Sequence, residues 1–224
     1  MSKPFFIFDF DGTIADTFNA LLRVSDLLAE EFHFRKIDPS EVETFRNKTS
    51  FQILTSLKIP LFKLPKILKR ARLELAKQML SINSFPGMNE TLQQLKPLSQ
   101  HMGIITTNSI QNVKGFLENQ ALDLFDFIKT TSRISQKYEE LRKIKKNLSS
   151  NQMLVYIGDE IRDIEAARRA SAISIAVTWG YNTPQVLKTY QPDYLVNSPQ
   201  ELLRVCQQLS FPLRSEAILS EKNK

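Results

Sequence analysis

The segment Phe5–Thr13, with the sequence FFIFDFDGT, decides how the chain folds. Its first four residues are all apolar, a run typical of a strand that is buried on both faces. Two carboxylates, Asp9 and Asp11, follow that run directly. In extended backbone, side chains at positions i and i+2 point the same way, so both acids are expected to share one small pocket. Gly12 allows a tight turn there and leaves backbone amides open to an anion.

Short apolar segments alternate with helical patterns along the rest of the chain. Further strands are predicted over residues 102–107, 127–131, 153–158, 174–178 and 193–196. Helices between successive strands favour parallel βαβ units, and therefore an α/β fold with a doubly wound parallel sheet. Ligands of such sheets bind at the carboxyl ends of the strands. Because Thr107, Asn108 and Asp159 also lie at predicted strand ends, the sequence predicts one site at that edge.

Residues 15–84, which we call the helical segment, contain no convincing strand pattern. Apolar residues spaced for one helix face predict a helix over residues 14–34 and another over residues 66–80. The predicted organisation is therefore a catalytic core of residues 1–14 and 85–214, an inserted helical segment, and a polar tail of residues 215–224.

Composition limits the class of protein. A length of 224 residues with 42% hydrophobic residues suits one core with a modest insertion. The single cysteine, Cys206, excludes an intramolecular disulfide and fits a reducing compartment. No apolar run approaches the roughly 20 residues of a membrane span, and the N-terminus lacks a signal-peptide pattern. We therefore expect a cytoplasmic protein, without a membrane partner, that is a monomer or a homodimer.

The formal net charge of +6 raises the question of whether the protein binds nucleic acid. The densest basic run, residues 137–146, contains Glu139 and Glu140 among its lysines, which is typical of a solvated helix face. No zinc-ligand spacing or aromatic RNA-binding signature accompanies it. These observations argue against nucleic-acid binding, whereas a net positive charge suits a phosphorylated substrate.

The residues at the predicted strand ends suit phosphate chemistry. Asp9, Asp11 and Asp159 would form an oxygen-rich pocket for a hard cation, and Mg²⁺ is the usual choice with phosphate. The Thr107 hydroxyl, and backbone amides beside Gly12 and Asn108, offer hydrogen-bond donors to phosphate oxygens. A cation is still needed to balance the charge of the transferring phosphoryl group. Lys114, Lys129 and Lys137 are the candidates.

Several motifs resemble those of the haloacid dehalogenase superfamily, in its phosphoglycolate-phosphatase-like branch. DFDGT resembles the first motif, DxDG[TS], and GDEIRD at residues 158–163 resembles the fourth, GDxxxD. VTWGYN at residues 177–182 resembles a segment found after the fifth core strand of that branch. The resemblance extends over residues 5–209 and implies a Rossmann-like core, with the helical segment as a type-one cap.

The resemblance also implies roles for residues. Asp9 would be the nucleophile that forms an aspartyl-phosphate, and Asp11 the general acid and base. Mg²⁺ would be held by Asp9, the main-chain carbonyl of Asp11, and Asp159, with Asp163 in support. The predicted phosphate-binding residues are Gly12, Thr13, Thr107, Asn108 and Lys137.

The lysine assignment is open. The third-motif lysine of the superfamily lies near the start of the helix that precedes the fourth strand, which selects Lys137. Tyr138 stands where many relatives have proline. That departure keeps Lys129, and then Lys114, as rivals.

The leading hypothesis is a Mg²⁺-dependent phosphomonoester hydrolase acting on a small phosphorylated metabolite through an aspartyl-phosphate. A phosphosugar mutase of the same superfamily would carry the same motifs, and a catalytically inactive binding protein could use the same scaffold. Arg46, Asn47 and Lys48 either face the substrate or form an ordinary polar turn.

Overall fold

The computed structural model describes residues 2–131 and 136–211, and its centre is a six-stranded sheet. The strands are β1 (Phe5–Phe8), β2 (His101–Thr106), β3 (Phe127–Thr130), β4 (Leu154–Gly158), β5 (Ile173–Val177) and β6 (Tyr194–Val196). Their order across the sheet is β3-β2-β1-β4-β5-β6, and every neighbouring pair is parallel. The predicted doubly wound α/β fold is confirmed.

Helices join the strands in sequence. Between β1 and β2 lie α1 (Phe18–Phe32), α2 (Val42–Arg46), α3 (Ser50–Ser56), α4 (Leu64–Ala76) and α5 (Met88–Leu95). The later helices are α6 (Ile110–Asn119), α7 (Gln136–Lys146), α8 (Ile161–Arg169), α9 (Pro184–Thr189) and α10 (Pro199–Ser210). No helix in the described ranges is both long enough and apolar enough to span a membrane. The predicted polar tail, residues 215–224, lies outside the described residues.

Strand β1 is buried on both faces, as its apolar sequence requires. Successive side chains of a strand point to opposite faces. Phe6 and Phe8 pack into the cluster that includes apolar residues of α5, α6 and α10. Ile7 packs into a second cluster with apolar residues of α7 and α8. Helices therefore cover both sides of the central strand.

The two chain crossings between the sheet and the helical segment lie side by side. The Asp16 amide donates to the Asn83 carbonyl (2.9 Å), and the Phe85 amide donates to the Ile14 carbonyl (3.3 Å). Helix α1 begins at Phe18, later than predicted, because residues 13–15 form a tight turn whose amides all donate to one carbonyl, that of Phe10.

Candidate active site

The sheet order reverses between β1 and β4, which places a crevice at the carboxyl ends of these two strands. Asp9 and Asp11 follow β1, and Asp159 follows β4. Asn108 comes two residues after the end of β2, the other neighbour of β1. The structure therefore brings together residues that are up to 150 positions apart in the chain.

Lys137 is a buried cation beside Asp9. Its side chain is 1% exposed, and Nζ lies 2.5 Å from Asp9 Oδ2 and 2.8 Å from Asp163 Oδ1. Burial alone would lower the pKa of Lys137, but the Asp163 and Asp9 carboxylates outweigh it and the net shift is upward. The two carboxylates therefore favour the charged form of the lysine. Its rival Lys129 lies elsewhere, with Nζ 3.0 Å from Glu140 Oε2.

Three buried carboxylates lie together beside that lysine. Asp9, Asp159 and Asp163 each place an oxygen within 4.8 Å of the others. Burial raises the pKa of Asp9, and burial together with the Glu160 and Asp9 charges raises the pKa of Asp159 well above its usual value. Lys137 alone does not balance this cluster, and the nearby Arg162 is itself paired with Glu160, so the site has an excess of negative charge that a divalent cation would compensate.

Asp11 is separate from that cluster. Its carboxylate accepts two hydrogen bonds from Asn108 Nδ2, at 3.0 and 3.1 Å. Burial and the Asp9 charge raise the pKa of Asp11 to about 7, although the Asn108 hydrogen bond opposes the shift. A carboxyl group that titrates near neutral pH can both donate and accept a proton there.

Asp159 is held by close backbone on two sides. Gly12 has φ +79°, and a Cβ at that position would lie 2.2 Å from Asp159 Oδ2. A Cβ on Gly180 would lie 2.3 Å from the same oxygen. The Thr13 hydroxyl donates to Asp159 Oδ1 (2.8 Å) and the Tyr181 amide donates to Oδ2 (2.7 Å). The two glycines allow an approach that orients this carboxylate toward Asp9.

The predicted phosphate-binding amides already have partners. Gly12 donates its amide to the Ala15 carbonyl (2.9 Å), and Asn108 donates its amide to Thr106 Oγ1 (3.0 Å). The Thr13 hydroxyl is likewise used by Asp159. Binding of phosphate by these groups would require those bonds to open, and it stays a prediction.

Comparisons with known proteins identify the family. The family described as haloacid dehalogenase-like hydrolase matches residues 6–177. The chain belongs to this hydrolase family. A phosphoglycolate phosphatase from Synechococcus elongatus is 33% identical over 205 residues, which cover 91% of the hydrolase and 97% of that relative.

Solved structures support the fold. A predicted phosphatase from Clostridium acetobutylicum superposes with a TM-score of 0.78 at 23% identity, covering 93% of the hydrolase and 100% of that chain. A haloacid dehalogenase-like family protein from Streptococcus pneumoniae gives 0.72 at 22% identity, covering 91% and 98%. At these identities the likeness concerns the fold alone.

The turn at residues 46–48 binds the sheet core. Arg46 donates from Nε and Nη2 to two main-chain carbonyls of the loop 180–183, each at 3.0 Å. Asn47 Oδ1 accepts from a hydroxyl of the same loop. Lys48 Nζ donates to Ser56 Oγ (2.9 Å) within the helical segment. These polar side chains of the hydrolase are therefore engaged by its own residues.

Sequence reasoning missed further charged groups beside the site. Arg72 of α4 donates from Nε to the Thr107 carbonyl (2.8 Å) and from Nη2 to the Thr131 carbonyl (3.0 Å). Arg162 forms an ion pair with Glu160. Both members of that pair lie inside the GDEIRD motif, which was a signal for them, whereas nothing in the sequence of α4 distinguishes Arg72.

Proposed function

We propose that this protein is a Mg²⁺-dependent phosphomonoester hydrolase that acts on a small phosphorylated metabolite through an aspartyl-phosphate intermediate. The coarser statement, that it is a phosphatase, is confirmed by the family match and the curated relative. The observation that carries the proposal is the buried contact between Lys137 and Asp9, at the strand end that also holds Asp11. Phosphoglycolate, the compound in the name of the Synechococcus relative, is the first substrate to assay.

Asp9 and Asp11 divide the chemistry between them. In the first half, an Asp9 oxygen bonds to phosphorus, the bond from phosphorus to the organic oxygen breaks, and Asp11 protonates that oxygen. In the second half, water attacks the phosphorus, Asp11 takes a proton from the water, and phosphate leaves with Asp9 restored. Lys137 beside Asp9 offsets negative charge in both halves, where a preorganised cation is most effective.

The residues of the site fit Mg²⁺. Asp9, Asp159 and Asp163 present buried carboxylate oxygens close enough to share one ion, and they exceed the positive charge beside them. We propose Asp9, Asp159 and the Asp11 main-chain carbonyl as ligands, while Asp163 holds Lys137. A bound Mg²⁺ would supply positive charge that polarises the phosphoryl group.

The helical segment is proposed as a cap over this site, inserted in a core of residues 1–14 and 85–214. Support comes from Arg46 and Arg72, which each donate two hydrogen bonds to main-chain carbonyls of the core. Caps that close in this way exclude water and select the leaving group.

Metal binding gives a prediction that needs no turnover. Mg²⁺ at about one hundred times its Kd should stabilise the protein by about 2.7 kcal/mol. For a chain of this size that corresponds to a rise of roughly 5–10 °C in Tm. Calorimetry of wild type, Asp159→Asn and the exposed control Asp16→Asn would measure it. A wild-type Tm that does not change when Mg²⁺ is added, or full activity in excess chelator, would contradict the metal assignment.

Product analysis tests the reaction itself. Phosphoglycolate and para-nitrophenyl phosphate, with and without Mg²⁺, should release free phosphate only when the metal is present. Formation of a phosphorylated isomer from a sugar phosphate, without free phosphate, would indicate the mutase. Absence of turnover across a panel of phosphate esters would indicate the binding protein.

A further inference from the structure

A cavity of about 300 Å³ runs from the strand ends into the helical segment. Asp11, Thr107 and Asn108 line it where it meets the sheet, and residues of α1 to α4 line the rest. The proposed acid–base residue therefore faces this cavity. At about 30 Å³ for an atom of the size of water, the cavity has room for roughly ten non-hydrogen atoms.

The part of the cavity inside the helical segment has an apolar lining. Its walls include Leu21, Leu28, Ile53, Leu54, Leu68 and Ala71, from α1, α3 and α4. Apart from Leu28, these side chains are only partly buried, so the helices do not fill the space between them. An unfilled apolar cavity costs stability, and a water molecule would find few of the two to four polar partners it needs there. An apolar occupant fits this lining.

The arginines of the lining are partly engaged, and they lie at the core end of the cavity. Arg46 and Arg72 donate to main-chain carbonyls, and Arg162 is paired with Glu160 through Nη2, while its buried Nε has no hydrogen-bond partner among the residues that the structure describes. No lysine is among the lining residues in the described part of the chain. A second anionic group on the substrate would find a cation only at this core end, and it would be strongly unfavourable in the apolar part of the cavity, where no positive side chain of the described residues could pair with it.

We propose that the hydrolase takes phosphomonoesters of apolar alcohols, and that the alkyl or ring portion of the substrate occupies this cavity. The inference rests on the proposed function, because it describes the leaving group of the same reaction. The phosphorus–oxygen bond to the alcohol breaks beside Asp11, which protonates the oxygen, and the alcohol departs from the cavity. Phosphoglycolate, which has no apolar chain to place in the cavity, is then a poorer substrate than a longer alkyl ester.

A series of straight-chain alkyl phosphates tests the leaving group. Burying one methylene corresponds to about a fourfold gain, so kcat/KM should rise about 250-fold over the four methylenes from ethyl to hexyl phosphate. Phosphoglycolate should fall below hexyl phosphate. A flat or falling series, or phosphoglycolate as the better substrate, would overturn the inference.

Filling the cavity supplies a second test. Ala71→Leu adds bulk to its wall, whereas the matched control Ala76→Leu adds the same bulk at an exposed position of the same helix. The hexyl-to-ethyl ratio of kcat/KM should drop about tenfold or more in Ala71→Leu and stay at the wild-type value in Ala76→Leu. An unchanged ratio in a folded Ala71→Leu would count against the cavity as the binding site.

A binding measurement covers the case in which Ala71→Leu does not fold. Alkyl phosphonates, which cannot be hydrolysed, should inhibit the wild-type protein more strongly as the chain lengthens, and inhibition independent of length would refute the proposal. Failure of the proposed function is distinguishable, because the protein would then hydrolyse neither ethyl nor para-nitrophenyl phosphate. Hydrolysis of both without a chain-length effect would support the phosphatase activity and contradict only the proposal of an apolar leaving group.

Discussion

Asp9→Asn is expected to lower turnover below about a hundredth of the wild-type rate, because losses of at least this size are typical when a covalent nucleophile is removed. An amide cannot attack phosphorus, and Asp9 is the carboxylate that Lys137 contacts at the end of β1. The fold should survive, since Lys137 retains Asp163 as a partner. Because burial raises the pKa of Asp9, the ionised carboxylate is disfavoured in the folded state, and without metal the variant should melt no lower than wild type.

The same variant tests for the aspartyl-phosphate intermediate when the reaction is quenched with acid. A phosphate ester labelled in its phosphoryl group should leave label on the wild-type protein and none on Asp9→Asn. Asp16→Asn is the matched control, because it makes the same change at an exposed position seven residues later. Wild-type turnover in Asp9→Asn would remove Asp9 from the nucleophile role.

The fold was predictable because its signals are local. The apolar strands and the helical patterns between them require only neighbouring residues, and all six strands are found. The family and the phosphatase class were predicted for the same reason, since the DFDGT and GDEIRD motifs are short and uninterrupted. Boundaries were less accurate where the backbone turns sharply, as at the start of α1.

The basic run at residues 137–146 shows where local reasoning fails. Its pattern predicted a solvated helix face, but Lys137 and Leu141, which are four residues apart, are buried. The acids that hold Lys137 are Asp9 and Asp163, which come from other parts of the chain. Only the resemblance to a family, and not the charge pattern, selected this lysine from the three candidates.

Contacts between the helical segment and the core were also beyond the sequence. Arg46 and Arg72 bind main-chain carbonyls, which every residue possesses, so no complementary residue type marks their partners. The sequence therefore did not decide whether residues 46–48 face the substrate or form an ordinary polar turn. In the structure, this turn makes hydrogen bonds to the loop 180–183.

Lys137→Ala is expected to lower turnover by about 10² to 10³, the effect of removing one preorganised electrostatic group. Lys129→Ala is the matched control, because Lys129 is partly exposed and pairs with Glu140 instead. It should stay within a few-fold of wild type. Lys137→Arg should recover activity only in part, since a planar guanidinium does not replace a compact ammonium between two carboxylates.

Stability separates the catalytic role of Lys137 from a structural one. Removing one partner of a buried ion pair typically costs about 3–5 kcal/mol, so Lys137→Ala should also melt at a lower temperature than wild type. Turnover is therefore measured well below that melting temperature, where the variant is folded by circular dichroism. If Lys137 serves only to hold the fold, the folded variant will turn over at nearly the wild-type rate. A near-normal Lys137→Ala beside an inactive Lys129→Ala would show that the charge on the phosphoryl group is balanced from β3, and the assignment of the cation to α7 would be wrong.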